Sequence, residues 1–267
     1  MVYFVGAGPG AEDLITLRGA RLLSEADLII YAGSLVNPAL LKRKKPSARV
    51  LDSAYMTLEE VLKAVEAEEA AGGMTVRLHT GDPSIYGAVR EQMEGLSERG
   101  IPYEVCPGVS SFSAAAASLG IEYTLPGVSQ SLIITRAAGR TAVPEKESPE
   151  RFAEHGATMV FFLSTGLAGK LKDDLIRGGL SPETPAAVVY KASWPEEMTA
   201  RCCLGELPET VERLGIRNTA LLIVGEVLRG SGMERSRLYD PAFTTGFRRA
   251  AAAEGKESKE GGNAAQG

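Results

Sequence analysis

The chain is poor in the residues that build metal and redox centres. It has three cysteines, Cys106, Cys202 and Cys203, and two histidines, His79 and His155. They form no CxxC pair and no zinc spacing, which argues against a metal site or a redox dithiol. Adjacent Cys202 and Cys203 read as strand filling. There is no run of about eighteen apolar residues, so no membrane span is expected. Positive charge is not in excess: 29 Lys and Arg face 34 Asp and Glu, a formal net charge of −5, which argues against a nucleic-acid partner. The one dense basic run, Lys42-Arg43-Lys44-Lys45, stops at Pro46 and reads as a solvated loop. No basic stretch precedes the first apolar run, so no signal peptide is expected and the cytoplasm is the expected location. Neither a Ser-His-Asp nor a Cys-His arrangement is evident, and no catalytic side chain is assigned.

What is present is a balanced globular composition, with 44% hydrophobic and 24% charged residues over 267 positions, enough for two ordinary domains. Short apolar runs alternate with helical periodicity in the first half. Strands are expected at Val2 to Val5, Asp27 to Tyr31, Arg49 to Asp52, Met74 to Leu78 and Tyr103 to Cys106. Between them, Thr16 caps a helix to about Glu25, and Thr57-Leu58-Glu59-Glu60 fits a capping box for a helix that Gly72-Gly73 stops. Another helix is expected from Ser84 to Glu98, and a small-residue helix from Ser111 to Leu119 ends at Gly120. This rhythm implies a mainly parallel sheet covered on both faces.

The pattern changes near Leu125-Pro126-Gly127. Beyond it, strands are expected at Ser131 to Thr135, Met159 to Leu163, Ala186 to Tyr190, Ala200 to Leu204 and Ala220 to Gly225, with some antiparallel pairing. Helices are expected at Leu167 to Arg177 and Leu207 to Leu214, and Ala138 to Pro149 reads as loop. The expected division is an α/β domain over 1–126, a second α/β domain over 127–249 and a disordered tail over 250–267.

Three strands of the first half run into loops rich in Gly and Pro: Gly6-Ala7-Gly8-Pro9-Gly10, Thr80-Gly81-Asp82-Pro83 and Pro107-Gly108-Val109-Ser110-Ser111. In open α/β sheets ligands bind outside the carboxyl ends of the strands, so the three loops together mark a binding floor. The first also matches the G-x-G-x-x-G/A dinucleotide pattern, which makes a dinucleotide-dependent oxidoreductase the rival reading. Glu12 and Asp13 oppose it, because they put negative charge where a pyrophosphate would approach. The helix also starts late, near Thr16, and the second strand ends in Tyr31-Ala32-Gly33 with no acid for a ribose hydroxyl.

Taken together and in this order, the three loops, with Asp13-Leu14-Ile15-Thr16 after the first and Tyr86-Gly87 after the second, resemble the tetrapyrrole (uroporphyrin/corrin) methylase family. Further stretches are similar to its branch acting on C-11 of precorrin-4: Leu125-Pro126-Gly127-Val128-Ser129-Gln130-Ser131, Thr135 to Thr141, Ala192-Ser193-Trp194-Pro195-Glu196-Glu197 and Ser236-Arg237-Leu238-Tyr239-Asp240. The resemblance spans Met1 to Arg248 and departs in small substitutions, such as Ala142 where the branch often has proline. It implies two α/β domains with a cofactor cleft between them, S-adenosyl-L-methionine as methyl donor, a corrin precursor of cobalamin synthesis as acceptor, and a homodimer. Methylation at another corrin or uroporphyrinogen position is the alternative within the family.

Carried over by motif, the resemblance implies that Pro9, Thr80, Gly81, Asp82, Pro83, Tyr86, Ser110 and Ser111 line the cofactor, with Leu163, Ala192 and Ala220 on its adenine side. The acceptor bears many carboxylates, and guanidinium groups grip these in bidentate fashion. Arg136 and Arg140 are therefore the candidates for substrate binding, with Lys191 beside them. Trp194 either stacks on the macrocycle or packs a domain edge. His79 reads as a hydrogen-bonded strand-end residue, and His155 as a cation closing a helix.

Overall fold

The computed structural model describes residues 1–33, 35–230 and 236–250. The expected tail therefore lies almost wholly outside the described residues. The first sheet is built from β1 (Val2–Gly6), β2 (Leu28–Tyr31), β3 (Arg49–Asp52), β4 (Thr75–His79) and β5 (Tyr103–Cys106), in the order β3-β2-β4-β1-β5. Every pairing in it is parallel, with Val2 of β1 opposite both Thr75 and Tyr103. A parallel sheet is covered on both faces, which explains the nearly continuous apolar runs of its central strands. Val5, Ile29, Val76 and Leu78 pack under α1 (Leu17–Glu25). Phe4, Leu28 and Ile30 pack on the other face, against α2 (Leu58–Ala70) and α3 (Arg90–Glu98).

Local signals account for several helix ends. The Thr16 hydroxyl accepts the Gly19 amide at 3.0 Å and opens α1. In α2 the capping box is complete: the Thr57 hydroxyl accepts from Glu60 N at 3.3 Å, and the Glu60 carboxylate accepts from Thr57 N at 2.8 Å. Helix α4 (Ser111–Leu119) ends on Gly120, whose φ of 62° suits glycine.

The second half contains β6 (Leu132–Arg136), α5 (Pro149–Ala153), β7 (Thr158–Phe162), α6 (Ala168–Arg177), β8 (Pro185–Tyr190), β9 (Met198–Cys203), α7 (Leu207–Arg213) and β10 (Ala220–Val224). Its sheet runs β6-β7-β10-β8-β9; only β6 and β7 are parallel. Helices α5, α6 and α7 supply Ala153, Leu171, Leu175, Leu207 and Val211 to one face. The other face is covered by α4, through Ala114 and Ala115 against Val160, Ala187 and Ile223. Helix α4 precedes the expected junction at Pro126 in the chain, yet its apolar side packs on the second sheet. Among the described residues no helix is long and apolar enough to cross a membrane.

The helix expected from Ser84 starts only at Arg90. Asp82 does accept Ser84 N, at 2.8 Å, but the turn it caps is not continued. Tyr86 and Ala88 take left-handed φ values of 54° and 48°, which breaks helical winding. Close to them, a Cβ on Gly87 would lie 2.2 Å from the Pro83 carbonyl oxygen. A helix ahead of His155 was expected without bounds; α5 begins at Pro149, with Ser148 accepting Arg151 N, and ends at Ala153, so His155 lies just beyond its Glu154 cap. Half of the basic run expected in a loop, Lys42 and Arg43, closes a short 3-10 helix, Pro38–Arg43, while Lys45 pairs with Asp27 at 2.5 Å.

Thr57→Ala removes one half of the capping box and should lower the unfolding free energy by about 1 kcal/mol. Urea titration should show this as a lower midpoint with an unchanged slope; an unmoved midpoint would mean that the box contributes nothing.

Candidate functional site

The carboxyl ends of β1, β4 and β5 meet the end of the second sheet where β7 and β8 finish and β10 begins. A cavity of about 340 Å³ lies between them. Of the residues the sequence reading assigned to ligands, Pro9, Thr80, Gly81, Asp82, Tyr86, Ser110, Ser111, Leu163, Lys191, Ala192 and Ala220 line this one cavity. Pro83, Arg136 and Arg140 do not. Pro83 is buried as the first residue of the turn after Asp82. The Arg136 guanidinium turns onto its own loop, donating to the carbonyls of Thr141 at 3.1 Å and Ala142 at 2.6 Å. Arg140 is exposed, outside the cavity.

The floor is a stack of backbones. A Cβ on Gly6 would sit 2.5 Å from Gly108 Cα, and one on Gly108 would sit 2.2 Å from the Gly81 carbonyl oxygen. Gly8 and Gly81 exchange hydrogen bonds, 3.3 Å from Gly8 N and 2.8 Å from Gly81 N. Ala7 N donates to the His79 carbonyl at 2.7 Å, and Ala11 N to Ser193 Oγ at 3.0 Å. The amides of Ala7, Gly8 and Ala11 are thus engaged by neighbouring segments rather than free to cradle a phosphate, and α1 begins well after them.

Asp82 closes the floor. One carboxylate oxygen accepts Gly108 N at 2.8 Å, while the other accepts the amide and hydroxyl of Ser84. Burial pushes this carboxyl up, but the Ser84 hydroxyl and the Gly108 and Ser84 amides outweigh it and hold it below its ordinary value. Beneath the floor, His79 is 4% exposed and its Nε2 has no hydrogen-bond partner among the described residues. The imidazole makes no hydrogen bond among the described residues, so the expected hydrogen-bonded histidine is not what the structure shows. Burial, helped by the charge of Arg77, lowers its pKa to about 3. Arg77 is itself buried, donating to Gln92 Oε1 at 2.9 Å, Ile30 O at 3.1 Å and Ser53 Oγ at 3.0 Å.

The facing wall carries unusual backbone. Among the described residues six non-glycine residues have left-handed φ, and four of them, Tyr86, Leu163, Lys191 and Thr219, line the cavity. Such conformations each cost roughly 1–3 kcal/mol and persist where surroundings impose them, typically around ligand sites. Three of them, Leu163, Lys191 and Thr219, come from the half that carries the second sheet, and Tyr86 from the half that carries the first. One further wall is the turn after β8. Its Trp194 indole N–H donates to the Pro9 carbonyl at 2.9 Å, and the indole lies where a Gly10 side chain would be, 2.0 Å from a Cβ built there. Trp194 therefore packs a domain edge as well as lining the cavity. Lys191 Nζ stands 5.0 Å from the indole centre and 3.8 Å from Glu196.

Ile85, Phe162, Thr165, Val189, Arg217 and Thr219 also line the cavity, and the sequence reading assigned them no ligand. Ile85 and Phe162 stand beside Tyr86 and Leu163, so neighbourhood to assigned residues was the available signal. Nothing local marked Arg217 or Thr219, which reach the cavity only because β10 starts at that end of the sheet. The arrangement is a small-molecule pocket with apolar sides, a backbone floor, hydroxyls at Ser110, Ser111 and Thr165, one carboxylate and two cations. Among the described residues no three His, Cys, Asp or Glu gather as a metal site would need.

A family model described as Tetrapyrrole (Corrin/Porphyrin) Methylases matches residues 1–208. The cobalt-precorrin-4 C(11)-methyltransferase of Methanocaldococcus jannaschii is 50% identical over 248 residues, covering 93% of this chain and 96% of that protein. The X-ray structure of a cobalamin biosynthetic enzyme, a cobalt precorrin-4 methyltransferase, superposes with a TM-score of 0.84 at 44% identity, over 85% of this chain and 95% of the other. The uroporphyrin-III C-methyl transferase of Thermus thermophilus, complexed with S-adenyl homocysteine, superposes with a TM-score of 0.72 at 31% identity, over 86% and 93% of the two chains.

Two measurements test the site's physics. Gly108→Ala should be strongly destabilising because its Cβ meets backbone, whereas Gly169→Ala, with nothing within 4 Å, should be neutral or stabilising by up to about 1 kcal/mol. Equal melting temperatures for the two variants would contradict the stacked floor. His79 stays neutral in the folded chain down to pH about 3, while an unfolded histidine binds its proton below about pH 6.5. The unfolded state then carries more protons, so stability should fall as pH drops from 6.5 towards 3. His79→Leu should lose part of that slope in urea titrations at pH 7 and 5; parallel slopes would refute the assignment.

Proposed function

The chain belongs to the tetrapyrrole (corrin/porphyrin) methylases, and from that premise we propose that it transfers the methyl group of S-adenosylmethionine to C-11 of precorrin-4 or its cobalt complex, a step of cobalamin biosynthesis. The observation that carries the reading is the close relationship to a C-11 methylase running through both halves of the chain. The pocket supports it independently. Its volume of about 340 Å³ falls near the lower end of small-molecule clefts, roughly 300–1,000 Å³, and suits one donor molecule. The donor's ammonium, carboxylate, hydroxyls and adenine call for a mixture of backbone groups, hydroxyls and single charges, and this is what lines the cavity.

When bound, the donor supplies an electrophilic methyl on sulfur. The residues of this chain hold and orient. Gly81 and Pro9 allow close approach from below, Ser110 and Ser111 offer hydroxyls, and Leu163, Ala192 and Ala220 present main chain from domain two. The accepting carbon is already electron-rich, so no side-chain nucleophile is required. Alignment of two bound reactants supplies on the order of 7–11 kcal/mol in favourable cases. Lys191 and Arg217 are the cations that line the pocket, and Arg136 and Arg140 remain candidates for the acceptor's carboxylates outside it. A homodimer belongs to the same reading and is carried by the resemblance, while a division at 126/127 rests on the change of pattern near Pro126 and a cytoplasmic location on the sequence's lack of a signal-peptide pattern.

The test is incubation with methyl-labelled S-adenosylmethionine and precorrin-4, metal-free and with cobalt. Label is expected at C-11 of at least one form. Label at another carbon would move the chain to a different position within the family, and no transfer to either form would refute the proposal.

A further inference from the structure

The turn over residues 83–89 rests on two buried polar side chains that the cavity lining does not include. Arg77 is 7% exposed in the middle of β4, where a parallel sheet covered on both faces usually carries an apolar side chain. Among the described residues its hydrogen bonds go to neutral groups: Gln92 Oε1, the Ile30 carbonyl and the Ser53 hydroxyl. Burial lowers the guanidinium pKa to about 10, against the charge of Asp52, so it remains a cation at neutral pH. Burying a charge is costly unless it is paired and hydrogen-bonded. One of the groups that this cation fixes in return is the side chain of Gln92.

Gln92, also 7% exposed, turns its other end back along the chain, and its Nε2 donates to the Ala88 carbonyl at 2.9 Å. In a continuous helix that carbonyl would accept the main-chain amide of residue 92. The side-chain amide stands in for it. Just before, Tyr86 and Ala88 hold left-handed φ values of 54° and 48°, which side chains disfavour. Asp82 and Pro83 favour a helix start, so two windings compete for this stretch. The Arg77–Gln92–Ala88 chain supports only the non-helical one. That winding makes the pocket wall: Ile85 and Tyr86 line the cavity, and the Tyr86 ring reaches Phe162 of β7 with centroids 5.4 Å apart.

Resting on the proposed function, we propose that Gln92, oriented by Arg77, is a positioning residue for the donor pocket, its side-chain amide holding residues 83–89 in the turn that presents Ile85 and Tyr86. It touches no ligand itself. Without that amide the stretch moves towards the helix its sequence favours, and the donor binds only the fraction still turned.

Gln92→Glu separates the two ends of the side chain. A carboxylate still accepts from Arg77, now as an ion pair, but no longer donates to the Ala88 carbonyl. Wild type and variants are titrated with S-adenosylhomocysteine and melted in parallel. Gln92→Glu should bind about tenfold more weakly, the effect of a competent fraction near one tenth, while melting close to wild type. Adding Ala88→Gly, which accepts left-handed φ and disfavours helix, should restore affinity to within about threefold of wild type. A purely structural glutamine would show no such rescue. Ala88 is exposed and outside the cavity lining, so Ala88→Val tests the turn without a core substitution. A β-branched residue is an outlier at that φ, and affinity should again fall about tenfold. Unchanged affinity in either single variant would overturn the proposal, as would a Gln92→Glu loss that Ala88→Gly leaves unrepaired. A Gln92→Glu variant melting far below wild type would overturn it too, because the glutamine would then hold the fold rather than the turn. If the wild-type protein does not bind S-adenosylhomocysteine, it is the proposed function that fails.

Discussion

The contact on which the rest depends is the meeting of three backbones at Gly6, Gly81 and Gly108. No side chain separates them, and a Cβ at Gly6 or Gly108 would fall within 2.7 Å of a neighbour's main chain. Loops at this distance cannot move independently. The Gly8–Gly81 exchange ties the first to the second, and the Asp82 carboxylate ties the second to the third. Asp82 is thus as much a clasp as a ligand. It holds the loop that carries Ser110 and Ser111, and its lowered pKa keeps it ionised while it does so.

A floor this rigid sets where the other domain can sit. Pro9 leaves the stack pointing its carbonyl at Trp194, and Ala11 points its amide at Ser193. The Glu197 carboxylate anchors the same turn, accepting Ser193 N at 2.6 Å and the Ser118 hydroxyl of α4 at 2.8 Å. Tyr86 against Phe162 makes another crossing. The cavity is walled by these crossings, so its width follows from the same contacts that join the halves.

Much of this was legible in the sequence, where a residue's local preference and its structural role coincide. Thr16, Thr57 and Gly120 act at helix ends as their chemistry predicts, and the Gly/Pro loops lie where ligands are bound in α/β sheets. The reading failed where tertiary contacts override local preference. Ser84 to Val89 has a good helix start in Asp82 and Pro83, but the chain leaves helical geometry at Tyr86. Thr219 and Leu163 adopt a backbone state that their side chains disfavour, which no pattern of types reveals. Arg136 was assigned to carboxylates on chemistry alone; its guanidinium also donates to carbonyls of its own loop, contacts set by loop shape that residue types do not reveal.

The left-handed residues around the cavity have a consequence for how such a protein can diverge. Groups offered by the main chain at Leu163, Lys191 and Thr219 survive most single substitutions, because no side chain carries them. The side chains at the same positions are free to vary in size and polarity. Three separate loops therefore fix their main-chain groups at the cavity through dihedral angles, and leave the residue types there open to change.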